Sequence, residues 1–293
     1  MTTRTETLRD ARLSVKPYVD ASMRLSRDIL DLAASMTRAE VRALVDMYYQ
    51  VQKQRIVMEN QVTAASASEE PHRLLAWAMS TQKVFEDQIR RAMTEWTDQS
   101  IPGRWAKGIM GIGPVLAAGL LAHIDIEMAP TVGHIWRFAG ADPTSKWEKG
   151  QRRPWNASLK VLRWKIGESF VKVKGRPADV YGKVYEARKA YETAKNLNGD
   201  YADQAAETLS ARPTHKQRAI YADGRLPDGR IHLRAERYAV KLFLAHLHHV
   251  MYVDRYQTDP PKPYILTQPG HVHFIAPPNW PIAVVKESTV PEE

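Results

Sequence analysis

The chain has 293 residues, 44% of them hydrophobic and 26% charged, a composition that fits a folded protein with a sizeable core and excludes general disorder. Its 42 Lys and Arg outnumber 33 Asp and Glu, for a formal charge of +9 and a pI of about 9.6, so polyanions are favoured as partners, nucleic acid ahead of an anionic membrane surface. Cysteine is absent, which excludes disulfides, thiolate metal sites and cysteine nucleophiles.

Met1–Asp10 is polar and charged rather than signal-like, and no stretch approaches the roughly 18 uninterrupted apolar residues of a membrane helix. A cytoplasmic protein with no membrane partner is expected, nucleoid-associated in a bacterial or phage-infected cell.

Residues 1–36 alternate charged and apolar positions at helical spacing, with Pro17 as an interruption. Thr37-Arg-Ala-Glu40 has the spacing of a capping box, and Val41, Leu44, Tyr48, Val51, Met58 and Val62 then recur every three or four residues, broken only by Arg55. This predicts an amphipathic helix facing a bundle core or a coiled-coil seam. Ala64–Pro71 predicts a turn or hinge, followed by a second long helix with Leu74, Trp77, Ala78, Phe85, Ile89 and Trp96 on one face. Residues 1–100 thus form a helical arm suited to self-association, and a homo-oligomer is expected.

Residues 101–176 differ in character. Five of the eight tryptophans fall there, and thirteen Lys and Arg face six Asp and Glu between residues 101 and 179. Within this stretch, Met110-Gly-Ile-Gly-Pro114 separates two apolar helical runs. Two glycines around one apolar residue permit a tight turn, and proline suits the first turn of the helix that follows. The pattern is that of a helix-hairpin-helix, in which Ile112 points inward and the free N–H groups of a helix N-terminus meet a phosphate oxygen. Met110, Gly111, Ile112 and Gly113, with the nearby cations Lys146, Lys149, Arg152, Arg153, Lys160 and Arg163, are the candidate DNA-binding residues. Trp147 and Trp155 flank the Lys149–Arg153 run, where nucleic-acid contact and packing are both open to them.

The run Gly108–Asp125 (GIMGIGPVLAAGLLAHID), followed by Trp136–Pro143 (WRFAGADP), resembles the C-terminal domain of DEDD-type insertion-sequence transposases, with Trp155–Trp164 a looser echo. The resemblance covers less than a quarter of the chain. That family joins a RuvC-like nuclease domain and a helical stretch to a helix-hairpin-helix domain bearing a serine nucleophile, and in its better-known members an RNA guides the choice of target. The resemblance implies DNA binding and recombination in a mobile element. This chain departs from the pattern in its first hundred residues, which lack the family's opening strand closing on Gly and Asp and therefore the four carboxylates that hold Mg²⁺. The family's serine falls near Lys146–Glu148, where Ser145 is the nearest hydroxyl and Ser158 the next. Ser145 is the candidate nucleophile and Asp142 the neighbouring acid, with Lys149, Arg152 and Arg153 as possible transition-state cations.

After Pro177 a helix carrying Val180, Tyr181, Val184, Tyr185 and Tyr191 is expected, ended by Asn198-Gly199. Asp223-Gly224 and Pro227-Asp-Gly229 read as turns or a hairpin-like loop, and Ala235–Val253, nearly apolar all round, as a buried helix or subunit interface. His246, His248 and His249 on that helix, and His271 and His273 beyond it, are expected to be packing or solvated histidines rather than ligands. No metal and no cofactor is indicated.

The expected fold is mainly α: a helical arm (1–100), a helix-hairpin-helix domain (101–176), a helical region (177–258) and an extended Pro-rich tail (259–293). The expected function is a DNA-binding protein related to transposase C-terminal domains without an autonomous nuclease, with structured RNA as the other nucleic-acid candidate. The alternatives are a glycosylase-like or base-modifying enzyme, for which Asp125 or Asp142 would supply the acid or base, and a non-enzymatic nucleic-acid organiser.

Overall fold

The computed structural model describes residues 24–65, 73–262 and 274–281. These residues are mainly helical, with no strand among them: α1 (Arg27–Ala33), α2 (Arg38–Ala65), α3 (Arg73–Asp98), α4 (Ile101–Lys107), α5 (Pro114–His123), α6 (Val132–Phe138), α7 (Ala157–Val173), α8 (Tyr181–Leu197), α9 (Ala202–Ala211), α10 (Arg218–Ala222) and α11 (Asp228–Tyr256). Among them no helix is long and apolar enough to cross a membrane. The interruption expected at Pro17, most of the turn expected at 64–71 and most of the Pro-rich tail lie outside the described residues.

The chain folds into two compact units, the first of residues 1–104 and 113–123, the second of 105–112 and 124–293. The expected boundary at 176 is not a limit of either unit, and within the 101–123 segment residues 105–112 belong to the second unit while 101–104 and 113–123 belong to the first.

In the first unit α2 packs on α3, and α5 lies against both. The capping box at α2 is formed: Glu40 accepts from the Thr37 N–H and hydroxyl at 2.7 Å each, and its own N–H donates back to Thr37 Oγ1. Val41, Val45, Tyr48, Val51 and Val62 are buried along α2. Arg55, the break in that stripe, is half-buried and pairs with Glu86 of α3 and, at 2.7 Å, with Glu59. Glu86 also accepts from Tyr48 Oη at 3.0 Å and Gln52 Nε2 at 3.3 Å. These bonds and the charge of Arg55 outweigh burial and hold its carboxyl below the usual range.

On α3 the expected apolar face is only partly turned inward: Ile89 is buried, and Ala78 and Trp96 are half-buried. Leu74, Trp77 and Phe85 are exposed, whereas Ala76, Glu86, Ile89 and Met93 are buried. Hydrophobicity misled here because the core-facing ridge contains a glutamate paid for by partners on α2.

The second unit is built on α11, which packs against α6, α7 and α8. Its centre is aromatic: Trp105 stacks on Phe243 (5.8 Å, 10°), Phe170 on Tyr181 (4.8 Å, 21°), and Phe243 meets Phe170 and Tyr181 edge-on. Trp105 Nε1–H donates to Pro278 O at 2.8 Å, seating the one described piece of the tail beyond residue 262. His246 and His248 are packing histidines as expected. His246 Nε2–H donates to Ile275 O and His248 Nε2–H to Ala129 O, both at 2.9 Å. The Ile275 carbonyl fixes the tautomer, so His246 Nδ1 accepts from Tyr181 Oη at 2.7 Å. His271 and His273 lie outside the described residues.

α8 ends as expected at Asn198, with Gly199 left-handed (φ +83°). Pro227-Asp-Gly229 is not a hairpin loop, however. Pro227 is the N-cap residue of α11, and Asp228 opens its first turn, where a carboxylate suits the helix dipole. Ala235–Val253 is largely buried, but Arg237, Tyr238 and Lys241 form a polar ridge along it.

Candidate nucleic-acid interface

The segment after α6 builds a platform for cations. Gly140 is left-handed (φ +62°), and the chain then loops out and returns so that Asn156 N–H donates to Phe138 O at 2.9 Å. Asn156 Oδ1 caps α7 by accepting the Leu159 N–H at 2.9 Å, which aims Lys160 and Arg163 from the first turns of that helix. A Cβ on Gly140 would lie 3.0 Å from Lys160 Cδ and 3.3 Å from Trp155 Cγ, so the bare backbone forms the floor under both side chains.

Indole rings hold the cations. Lys160 Nζ sits 3.8 Å from the Trp155 ring centre, and Lys241 Nζ 4.0 Å from that of Trp136. Trp136 Nε1–H also donates to Lys241 O at 3.0 Å, locking α6 onto α11. The Arg153 guanidinium lies 5.5 Å from the Trp147 ring, whose Nε1–H donates to Gln151 O at 2.7 Å.

Electrostatically these groups are crowded. Burial, then the positive charges of Arg163, Arg153 and Arg237, hold Lys160 below the ordinary lysine range. Burial lowers Arg163 most, Arg237 adds to this, and only Glu236 opposes it. Lys241 is lowered by burial and by Arg237, against Asp142. Arg163 Nε is buried with no hydrogen-bond partner. Lys160, Arg163 and Lys241 thus share one region with Arg153 and Arg237, in which Glu236 opposes the lowering of Arg163 and Asp142 that of Lys241. Such an arrangement is relieved by an incoming anion.

Of the predicted DNA-binding residues, the structure brings Arg153, Lys160 and Arg163 together. Lys146, Lys149 and Arg152 are exposed on the 142–156 loop. Arg237 and Lys241 were missed, because two cations four residues apart were submerged in an apolar run.

Ser145 and Asp142 are also brought together: Ser145 Oγ donates to Asp142 Oδ2 at 3.2 Å, while Oδ1 accepts from Thr144 N and Oγ1 at 2.9 and 2.7 Å. These bonds, those of Thr144 first, hold Asp142 below the usual carboxylate range, which makes it a weak base for activating a hydroxyl. Asp125 Oδ1 accepts the Glu127 N–H at 3.1 Å.

The hairpin turn lies against the other half of α7. Gly111 is left-handed (φ +96°); its carbonyl accepts from Ser169 Oγ at 2.6 Å, and a Cβ there would meet Val173, Ser169 and Phe170 at 3.2–3.4 Å. Ser169 is nine residues beyond Lys160, about 13 Å along the helix axis, so this turn and the cation cluster occupy different stretches of α7. Met110 is half-buried and Ile112 buried, its N–H donating to Ile109 O at 2.9 Å. Gly113 is exposed, with nothing within 4 Å of the position a Cβ would take. α5 starts at Pro114, and Ala117 N–H donates to Gly113 O, so the N–H groups ahead of Ala117 have no intrahelical acceptor.

Comparison of the chain with protein-family models, with curated proteins and with solved structures finds no match.

Proposed function

We propose that this protein binds DNA through its phosphate backbone, and that it is related to transposase C-terminal domains without carrying a nuclease of its own. The observation that supports this best is the group formed by Arg153, Lys160, Arg163, Arg237 and Lys241, in which burial and mutual repulsion lower Lys160, Arg163 and Lys241. A phosphate oxygen placed among them reverses that repulsion, and displaced counterions drive binding. The indoles of Trp155 and Trp136 hold the ammonium groups in place, and the exposed ring of Trp147 offers an apolar face beside Arg153. Contacts of this type grip the duplex without reading its sequence. The relation to transposases rests on the segments 108–125 and 136–143. The second of these forms the Gly140 floor beneath Lys160 and Trp155.

The test is a titration on duplex, single-stranded and branched DNA and on structured RNA, each at several salt concentrations. Duplex or branched DNA is expected to bind most tightly, with affinity falling steeply as salt rises. Arg237→Ala and Lys241→Ala should each weaken binding on every sequence and reduce the slope of log K against log salt by about one. Salt-insensitive binding, or full binding by both variants, overturns the proposal; preference for structured RNA moves it from DNA to RNA.

A further inference from the structure

The facing sides of α7 and α11 carry a second group of side chains. His232 and Glu236 are one turn apart on α11, at the i, i+4 spacing that puts two ligands on one helix face, and Glu168 projects from α7. One nitrogen of His232 and one oxygen from each glutamate all lie within 4.8 Å of one another.

Two features separate this trio from an ordinary patch of surface acids. Glu236 is only 2% exposed, and its Oε1 is buried without a hydrogen-bond partner. Buried carboxylate oxygens are almost always paired or bound to a cation. The oxygen is seated where a side chain on Gly167 would be, so the glycine next to Glu168 leaves the notch that admits it. His232, for its part, is already oriented. Its Nδ1 lies 2.8 Å from Tyr185 Oη, and the two rings meet edge-on. This leaves Nε2 directed at Glu168, 3.8 Å from Oε1.

We propose that Glu168, His232 and Glu236 form a binding site for one divalent first-row transition ion, of the Zn²⁺ or Mn²⁺ kind. One imidazole and two carboxylates, with no thiolate, suit such an ion better than a soft one, and the nitrogen ligand favours it over Mg²⁺ or Ca²⁺. Two carboxylates and a neutral histidine balance its charge. An ion with bonds of about 2.1 Å holds ligands roughly 3–3.5 Å apart, so the trio must close by about an ångström or slightly more. Glu168 and His232, with side chains 33% and 29% exposed, have the freedom to do so and provide an entry path. With Nε2 on the metal, Nδ1 keeps its hydrogen and donates to Tyr185 Oη, the usual outer support of a ligating histidine. Three protein ligands leave positions for water. Without an ion, burial pushes Glu236 up to about 7 despite the opposing charge of Arg163. A bound cation removes that cost.

This site does not depend on the nucleic-acid reading, and its test contains no nucleic acid. The full-length protein, stripped by chelator, is titrated with Zn²⁺ by calorimetry and with Mn²⁺ by electron paramagnetic resonance. One tightly bound ion per chain is expected for at least one metal. Glu168→Gln, at a partly exposed position where folding is not at risk, should weaken it at least tenfold, as should Glu236→Gln. Tyr185→Phe should weaken it about tenfold by releasing the His232 ring. The proposal is overturned if the wild type binds neither metal at millimolar concentration. It is equally overturned if Glu168→Gln and Tyr185→Phe bind as the wild type does, which would put the ion on other histidines.

Discussion

Two buried glutamates in the second unit, Glu192 and Glu236, have opposite surroundings. Glu192, 1% exposed, accepts from Arg188 Nε at 2.8 Å on one oxygen, and on the other from Arg234 Nε at 2.7 Å and from Tyr201 Oη. These bonds overcome burial and hold it below the usual carboxylate range. Glu236, equally buried, has an unpartnered oxygen and lies near an arginine whose Nε is also unpartnered. Glu86 in the first unit resembles Glu192, with Arg55, Tyr48 and Gln52 around it. Among the described residues, Glu86 and Glu192 thus have partners on both carboxylate oxygens. Glu236 Oε1 and Arg163 Nε, by contrast, are buried without a hydrogen-bond partner, where the cation cluster and the proposed metal site meet.

The strongest way to break this comparison is to neutralise each glutamate in turn. Glu192→Gln leaves two arginines facing each other without their anion and should cost about 3 kcal/mol of unfolding free energy by urea titration. Because the folded pKa of Glu192 is lowered, its contribution is present above the unfolded value near 4.5 and lost as pH falls through the folded one. The penalty of the variant should therefore shrink in acid. Glu236→Gln in metal-free buffer should change stability by less than about 1 kcal/mol, or raise it, since burial already disfavours the charged form and Oε1 accepts no hydrogen bond, which offsets the lost attraction to Arg163. Equal losses at the two sites would show that Glu236 is a structural residue like Glu192.

A somewhat smaller effect is expected from His246, which is polar and buried but fully bonded in its neutral form. Burial pushes its pKa down to about 4, from an ordinary value near 6.5. The unfolded chain takes up this proton first as pH falls, so stability is full above about 6.5 and declines towards pH 4, by an amount on the order of 2–3 kcal/mol. His248, also lowered by burial, adds to the same slope. Unfolding curves recorded at half-unit steps should show it. His246→Gln should flatten the slope without abolishing it, and an unchanged slope would remove His246 as its source.

How much of this was legible in sequence follows from which interactions are local. The capping box at Thr37, the helix end at Asn198-Gly199 and the left-handed Gly111 depend on a few consecutive residues, and all were readable. The apolar stripe of α2 was readable too, down to the position where Arg55 interrupts it. What failed were inferences about which side of a helix faces inward when partners are distant. The buried ridge of α3 includes Glu86 because residues 31–38 positions away satisfy it, and no spacing rule on α3 alone reveals that. Arg237 and Lys241 join Lys160 and Arg163 only through the packing of α11 on α7. Likewise, His232 and Glu236 look like a bare helical pair until Glu168, more than sixty residues earlier, is set beside them. The Ser145–Asp142 contact was nearer to hand, being a local turn.

A milder probe addresses the floor under the cations. Gly140 holds φ +62°, where an alanine is strained by about 1–2 kcal/mol, and the new Cβ would press on Lys160 Cδ, the flexible part of a side chain. Gly140→Ala should therefore lower stability by roughly 1 kcal/mol. It should also weaken DNA binding several-fold, by shifting Lys160 on Trp155. A loss of stability with unaltered binding would separate this platform from the interface.

The smallest expected change distinguishes the two phosphate contacts that the sequence suggested. Gly111 cannot serve as the probe, because a side chain there meets both a positive φ and the packed residues Val173, Ser169 and Phe170, so lost binding would be indistinguishable from lost packing. Gly113 has neither problem: its φ is not positive and the space beside it is open. Gly113→Ala should leave the urea midpoint unchanged to within about 0.5 kcal/mol, as a surface substitution does. If the free N–H groups at the start of α5 meet a phosphate, the added methyl stands in its path, and affinity should fall by a small factor at every salt concentration. If affinity is untouched while Arg237→Ala and Lys241→Ala still weaken it, the cations of α7 and α11 bind the backbone without the turn, and the hairpin serves to shape the chain.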